Sequence, residues 1–247
     1  ALENIQPYIH RTPIRQSRTL NELTGADVYL KMENLQRTGS FKFRGALNKI
    51  MSLSDFEAAK GIVAASAGNH AQGVAMAATS RGISSKVYMP EATPEAKVLA
   101  TKAYGADVVL EGETYQEAFQ AAVREKEERG ATFVHAFDDM DVIAGQGTIG
   151  LELMQQCCDL QAILLPVGGG GLIAGISLVV KYFNPQIKII GVQAKGAPAT
   201  YNRFRGINGG KLQHVNSIAD GLLVKEPGSL TYPIIHQLVD EMVTVTD

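Results

Sequence analysis

The stretch AILLPVGGGGLIAGISLVV, residues 162–180, decides the fold. Ala162 to Val167 read as a buried strand, four glycines follow at Gly168, Gly169, Gly170 and Gly171, and an apolar helix starts at once. A strand that turns through glycines straight into a helix is the joint of a βαβ unit, which places the chain in the α/β class. The same rhythm runs outward from it. Short strand-like runs stand at VYLKM (28–32), GIVAAS (61–66), KVYMP (86–90), DVVLE (107–111), TFVHAF (132–137) and IKIIGVQ (187–193), with longer amphipathic stretches between them. Thr93 before Pro94 reads as an N-cap with proline in the first turn and Gly105 as that helix's end, while Gly82 and Gly130 read as the ends of two others. Four strands between residues 62 and 134, with three helices among them, suffice for a small α/β unit. The expected organisation is therefore a large lobe from residues 1–45 and 139–247, a small lobe from residues 46–138, and a ligand in the cleft between them.

Composition narrows the function. The 247 residues are 45% hydrophobic, enough for a substantial core. Lys and Arg number 23 against 25 Asp and Glu, a formal net charge of -2, so no global field favours nucleic acid or an anionic membrane. A small-molecule partner is expected. Cys157 and Cys158 are neighbours on a predicted helix and suggest neither a disulfide framework nor a zinc site, which fits a reducing cytoplasm. The opening ALENIQPYIHRTPIRQ has no apolar signal core, and the apolar run near Leu172 to Val180 is too short and glycine-interrupted to span a bilayer.

Three loops carry chemistry. Gly168 to Gly171 leave their backbone N–H groups unobstructed at a helix start, a cradle for a phosphate; the competing reading is a tight turn with close strand–helix packing. GGGLIA (169–174) also fits a dinucleotide fingerprint, but the next strand ends in Gln193, with no acidic residue for a ribose. GQGTIG (145–150) follows no convincing strand, and no P-loop motif occurs. The second loop, SAGNH (66–70), offers another helix start to an anion, with the Ser66 hydroxyl and the Asn69 amide added; a substrate carboxylate suits it, and a plain helix cap by Ser66 or Asn69 is the alternative. A lone histidine such as His70 more often packs or caps than catalyses. The third is RTGSFKFRG (37–45), where Lys42 lies between Phe41 and Phe43: either a solvated charge at a helix start or an amine held dry for reaction, with both phenylalanines excluding water.

Taken together, YLKMENLQRTGSFKFRGALNK (29–49), SAGNHAQGVA (66–75), VIAGQGTIGLE (142–152), PVGGGGLIAGI (166–176) and ADGLLV (219–224) resemble, in order and spacing, the fold-type II pyridoxal phosphate enzymes. The likeness is to the threonine dehydratase and serine racemase family, and within it to the short catabolic-type threonine dehydratases. It implies a fold like that of the tryptophan synthase β subunit, two open twisted-sheet lobes with the cofactor in the cleft. It implies that Lys42 binds pyridoxal 5'-phosphate as a Schiff base and acts as base at the substrate Cα, that Phe41 lies against the ring, and that Asn69 bonds its 3'-oxygen. By the same likeness Gly168, Gly169, Gly170, Gly171 and Leu172 would hold the phosphate, and Ser40, Ser66, Asn69 and His70 would receive the carboxylate of threonine or serine. The products would be a 2-oxo acid and ammonia, with serine racemase, a related β-eliminase, or a cofactor-binding form without turnover as alternatives. Ala67 stands where racemases carry a second serine, which favours elimination. Gln193 and Ala199 stand where racemase-like members carry acidic ligands, so no metal is expected. The family implies a homo-oligomer, dimer or tetramer, and its members continue past the position of Asp247 with further strands and helices, so either a longer chain or a truncated form whose sheet is completed in another way is expected.

Overall fold

The computed structural model describes the backbone of residues 1–247 and every side chain but that of Asn208. The chain opens with α1 (Leu2–Ile5), β1 (Ile14–Gln16), α2 (Arg18–Thr24) and β2 (Tyr29–Lys31), and the two strands pair antiparallel as a ribbon. After α3 (Lys42–Met51) and α4 (Asp55–Ala59), strands and helices alternate: β3 (Ile62–Ala65), α5 (Asn69–Arg81), β4 (Ser85–Met89), α6 (Glu95–Ala103), β5 (Asp107–Leu110), α7 (Tyr115–Arg129) and β6 (Thr132–Phe133). These strands form a parallel sheet in the order β5-β4-β3-β6. The long α8 (Met140–Gln156) leads to β7 (Ala162–Pro166), α9 (Gly171–Phe183), β8 (Lys188–Ala194), α10 (Ala199–Phe204), α11 (Thr231–Leu238) and β9 (Glu241–Val245), a second parallel sheet in the order β7-β8-β9.

All seven strands read from the sequence form, and β1 and β9 join them. Thr93 does not cap α6. Pro94 is itself the N-cap residue, at φ −54° and ψ 133°, because its ring fixes only φ and its ψ is still extended. Gly82 and Gly130 end α5 and α7 in the left-handed region, at φ 70° and 65°.

Two cores flank α8. Phe43, Leu47 and Ile50 of α3 pack with Ile62 of β3, Val74 of α5 and Val142 of α8. One residue on, Ile143 joins Ile163, Leu165, Ile173, Ile176 and Ile189 in the core of the β7-β8-β9 sheet. The glycines of GQGTIG serve this packing. A Cβ on Gly145 would stand 2.5 Å from the Arg44 carbonyl, and one on the facing Gly175 would collide with the Ile143 carbonyl, so α3, α8 and α9 approach at backbone distance. The helix bearing Lys42 and the helix behind the glycine loop are thereby fixed to one strut. The expected lobe break between residues 45 and 46 falls inside α3.

Ions tie the same region. Arg44 is fully buried, 2.8 Å from Glu33 and 2.6 Å from Glu152, and Lys31 reaches Glu152 at 2.5 Å. Two cations and two carboxylates compensate one another, which makes their burial tolerable and joins β2, α3 and α8. No helix among the described residues is long and apolar enough to cross a membrane.

Candidate active site

Lys42 is the first residue of α3, and no side chain caps that helix. It is partly buried, its Nζ donates to the Ala136 carbonyl at 2.8 Å, and the Phe41 ring centroid lies 5.4 Å from Nζ. Burial lowers the ammonium from its usual 10.5 to about 8. The positive end of the α3 dipole acts in the same direction. Phe43, expected beside the amine, instead faces the core with Leu47 and Val74. Residues two apart on a helix point about 200° away from each other, so Phe41 and Phe43 cannot both flank Lys42. Helix α5 presses on this turn: a Cβ on Gly73 would stand 3.1 Å from the Phe43 nitrogen.

The loop after β6 organises everything else. TFVHAF reads as a strand to Phe137, but β6 ends at Phe133: the Val134 N–H still bonds the Val63 carbonyl of β3 at 2.9 Å, and the polar groups after it are engaged elsewhere. The Val134 carbonyl accepts from His70 Nε2 at 2.9 Å, and the Ala136 carbonyl accepts from Lys42. His135 Nδ1 accepts the N–H groups of Phe137 at 3.2 Å and Asp138 at 2.8 Å. The Asp138 carboxylate takes the Ser229 hydroxyl at 2.7 Å and the backbone N–H groups of Ser229, Leu230 and Thr231, capping α11. Burial works to raise the Asp138 carboxyl, but those hydrogen bonds together leave it lowered. Asp139 caps α8 through Asp141 N–H and Val142 N–H.

Both histidines are neutral rings. Burial, then the nearby Lys42 charge, push His70 down to about 3, and with its Nε2–H given to Val134 its side chain is not a cation for a carboxylate. Burial also lowers His135, against the opposing charge of Asp138.

The glycine loop lies one residue from the lysine's anchor. A Cβ on Gly169 would run into the Phe137 ring, and one on Gly171 would stand 3.0 Å from Phe137 Cβ. Gly170 is left-handed, at φ 94°, and a Cβ there would meet Ile235 Cδ1 at 2.6 Å. No side chain caps α9. Two buried threonines aim the loop: Thr200 Oγ1 donates to the Gly168 carbonyl at 3.3 Å and Thr231 Oγ1 to the Gly169 carbonyl at 2.7 Å. In a trans peptide the N–H points opposite the carbonyl, so the N–H groups of Gly169 and Gly170 face away from the threonines, free for an anion. Neither threonine stood out in the sequence; an isolated threonine carries no local signal.

At the SAGNH turn the N-cap is Gly68, and neither Ser66 nor Asn69 caps α5. Ser66 Oγ instead accepts the Gly68 N–H at 3.2 Å, and Asn69 is exposed. Ser40 Oγ is buried and has no hydrogen-bond partner among the described residues. The structure thus brings Lys42, Phe41, His70 and the glycine loop around residues 134–138, with Leu172 half-buried against the same core as Phe41. Gln193 is consumed at both ends, its Nε2 on the Val167 carbonyl and its Oε1 on the Tyr201 N–H. No group of three or more metal-type side chains occurs among the described residues.

Residues 5–247 match the family described as pyridoxal-phosphate dependent enzyme. L-threonine ammonia-lyase of Thermotoga maritima is 49% identical over 247 residues, covering 100% of this chain and 62% of that protein. This chain therefore spans less than two thirds of that relative. The processed form of threonine deaminase isoform 2 from Solanum lycopersicum superposes with a TM-score of 0.94 at 41% identity, over 98% of this chain and 67% of that one. Maize serine racemase superposes with a TM-score of 0.96 at 38% identity, over 100% of this chain and 74% of that one. With its two parallel sheets and its matched length, the chain belongs to the pyridoxal-phosphate dependent enzyme family and has the fold-type II architecture.

Proposed function

We propose that this chain carries the active site of an L-threonine ammonia-lyase, also acting on L-serine, that yields 2-oxobutanoate or pyruvate with ammonia. The observation that carries the reading is one juxtaposition. Lys42 Nζ is bound to Ala136 O, and the adjacent Phe137 packs on a glycine loop whose carbonyls are held back by Thr200 and Thr231. The site fits pyridoxal phosphate: an amine of lowered basicity, and an uncapped cradle of N–H groups in which Gly169 and Gly170 admit no Cβ.

When bound, the cofactor supplies an aldehyde for the lysine and a ring that stores the electron pair left at the substrate Cα. Gly168 to Gly171 and Leu172 would hold the phosphate through backbone N–H groups, Phe41 would cover the ring and Asn69 would meet its 3'-oxygen. With a pKa of about 8, roughly a tenth of Lys42 amines are neutral at pH 7 and able to accept the Cα proton. The uncapped start of α5, with Ser66, Asn69, the His70 N–H and the unpartnered Ser40 hydroxyl, receives the substrate carboxylate. Ala67 offers no hydroxyl to return a proton from the opposite face, which favours elimination over racemisation.

The name of the Thermotoga maritima relative supports this activity. The reading includes a cytoplasmic homo-oligomer, dimer or tetramer, and two lobes, residues 1–45 with 139–247 and residues 46–138, with α3 running across the boundary and α8 of the large lobe packed in both cores. Turnover of L-threonine to 2-oxobutanoate, lost in Lys42→Ala, is the test. No 2-oxobutanoate from the cofactor-loaded protein would reject it, and D-serine made from L-serine faster than pyruvate would favour a racemase.

A further inference from the structure

His135 has no role in the reading above, yet it lies next to the reactive lysine. Its ring is packed among Phe119, Phe133 and Phe137, with centroid distances of 6.3, 6.2 and 4.7 Å. Its Nδ1 accepts two backbone N–H groups from its own loop, Phe137 at 3.2 Å and Asp138 at 2.8 Å. This copies the turn that an Asn or Asp side chain makes with the N–H groups two and three residues on. The Phe137 N–H belongs to the same planar unit as the Ala136 carbonyl, and in a trans peptide the two point in opposite directions. Drawing the N–H toward the His135 ring therefore turns the carbonyl the other way, onto Lys42 Nζ at 2.8 Å. Ala136 has neither a ring nor a branched side chain to fix that peptide, so local stiffness does not do so.

We propose that His135 is a positioning residue for Lys42: through Nδ1 it locks the Ala136–Phe137 peptide so that the Ala136 carbonyl holds the lysine amine. The lock requires a neutral imidazole, and the charged and titratable groups around His135 are Lys42, His70, Asp138 and Asp139. Burial keeps the ring neutral, and the ring's Nδ1 lone pair is the acceptor. Because Phe137 also fills the space over Gly169 and Gly171, the same peptide sets the distance between the amine and the cradle. The inference takes its importance from Lys42 being the cofactor lysine, but its geometry and its test do not depend on cofactor or substrate.

The test is a titration of Lys42 in the cofactor-free protein. Reductive methylation with formaldehyde at a series of pH values, read at the Lys42 peptide by mass spectrometry, gives the pKa of that amine. His135→Phe keeps aromatic packing and removes the acceptor. His135→Asn places Oδ1 where Nδ1 was and can take both N–H groups. Losing the carbonyl removes a hydrogen bond that favours the ammonium, so the Lys42 pKa should fall by about one unit in H135F and stay within about 0.3 unit of the parent in H135N. An unchanged titration in H135F, or an equal fall in H135N, would overturn the proposal. Amide hydrogen exchange in the unsubstituted protein gives a reading that needs no variant to fold. The Phe137 and Asp138 N–H groups should be protected, and exchange at the rate of exposed loop amides would refute the lock. Absence of cofactor labelling at Lys42 would instead reject the function proposed above and leave the titration intact.

Discussion

Replacing Lys42 with methionine should stabilise the cofactor-free protein at neutral pH and do so less as pH rises. The lysine pKa is about 8 in the folded chain against 10.5 for an unhindered lysine. Below pH 8 the amine is charged in both states, and the folded state carries the full cost of holding a buried ammonium, about 3 kcal/mol at pH 7 by linkage. Between pH 8 and 10.5 the folded lysine is neutral while the unfolded one still binds a proton, so stability climbs with pH. Above 10.5 the cost is gone. Methionine has no proton to bind and no such slope. It leaves the Ala136 carbonyl without its donor, a loss of about 1 kcal/mol that does not vary with pH. The net gain is then about 2 kcal/mol at pH 7 and near zero at about pH 9.5, where about 1.4 kcal/mol of the lysine's cost remains. Urea unfolding followed by circular dichroism measures it at both pH values. A methionine variant no more stable than the parent at pH 7, or a difference that does not change with pH, would refute the claim that burial sets the basicity of Lys42.

Three other substitutions probe the frame around the lysine. Gly170→Ala puts a Cβ at φ 94° and 2.6 Å from Ile235 Cδ1, and should cost about 2–4 kcal/mol from the left-handed backbone and crowding together, seen as a lower thermal midpoint and at least tenfold weaker cofactor binding. Thr231→Val removes the donor to the Gly169 carbonyl; pyridoxal phosphate should bind about fivefold more weakly, while pyridoxal, lacking the phosphate, binds as before in a fluorescence titration. Arg44→Met leaves Glu33 without its cation and Glu152 with Lys31 alone, and should cost about 3–5 kcal/mol in urea unfolding.

What the sequence revealed was local. The strand–glycine–helix pattern at residues 162–180 needed only neighbours along the chain, and so did the left-handed helix ends at Gly82 and Gly130. The glycine loop was legible as a strand-to-helix turn because four consecutive glycines stand out along the chain. Other features were set by partners far away in the chain. Arg44 looked like one more helix charge, yet it is fully buried because Glu152, 108 residues on, meets it. Thr200 and Thr231 are ordinary residues until the fold lays their hydroxyls on glycine carbonyls. The segment after Phe133 has strand composition, and only its hydrogen bonds to His70, Lys42 and α11 explain why it is a loop. Strand β9, EMVTV, was the one miss with a local signal, a run of three β-branched residues, Val243 to Val245, of strand composition. GQGTIG shows the converse, a motif whose glycines fit a binding fingerprint and serve helix packing.

The central claim is that Lys42 is the amine to which the cofactor is joined. Loading the protein with pyridoxal phosphate, reducing with borohydride and mapping the added mass on proteolytic peptides tests it directly. The structure predicts a single modified site, on the peptide containing Lys42, and no modification after Lys42→Ala. A label on any other lysine with Lys42 unmodified, or equal labelling of the Lys42→Ala variant, would contradict it.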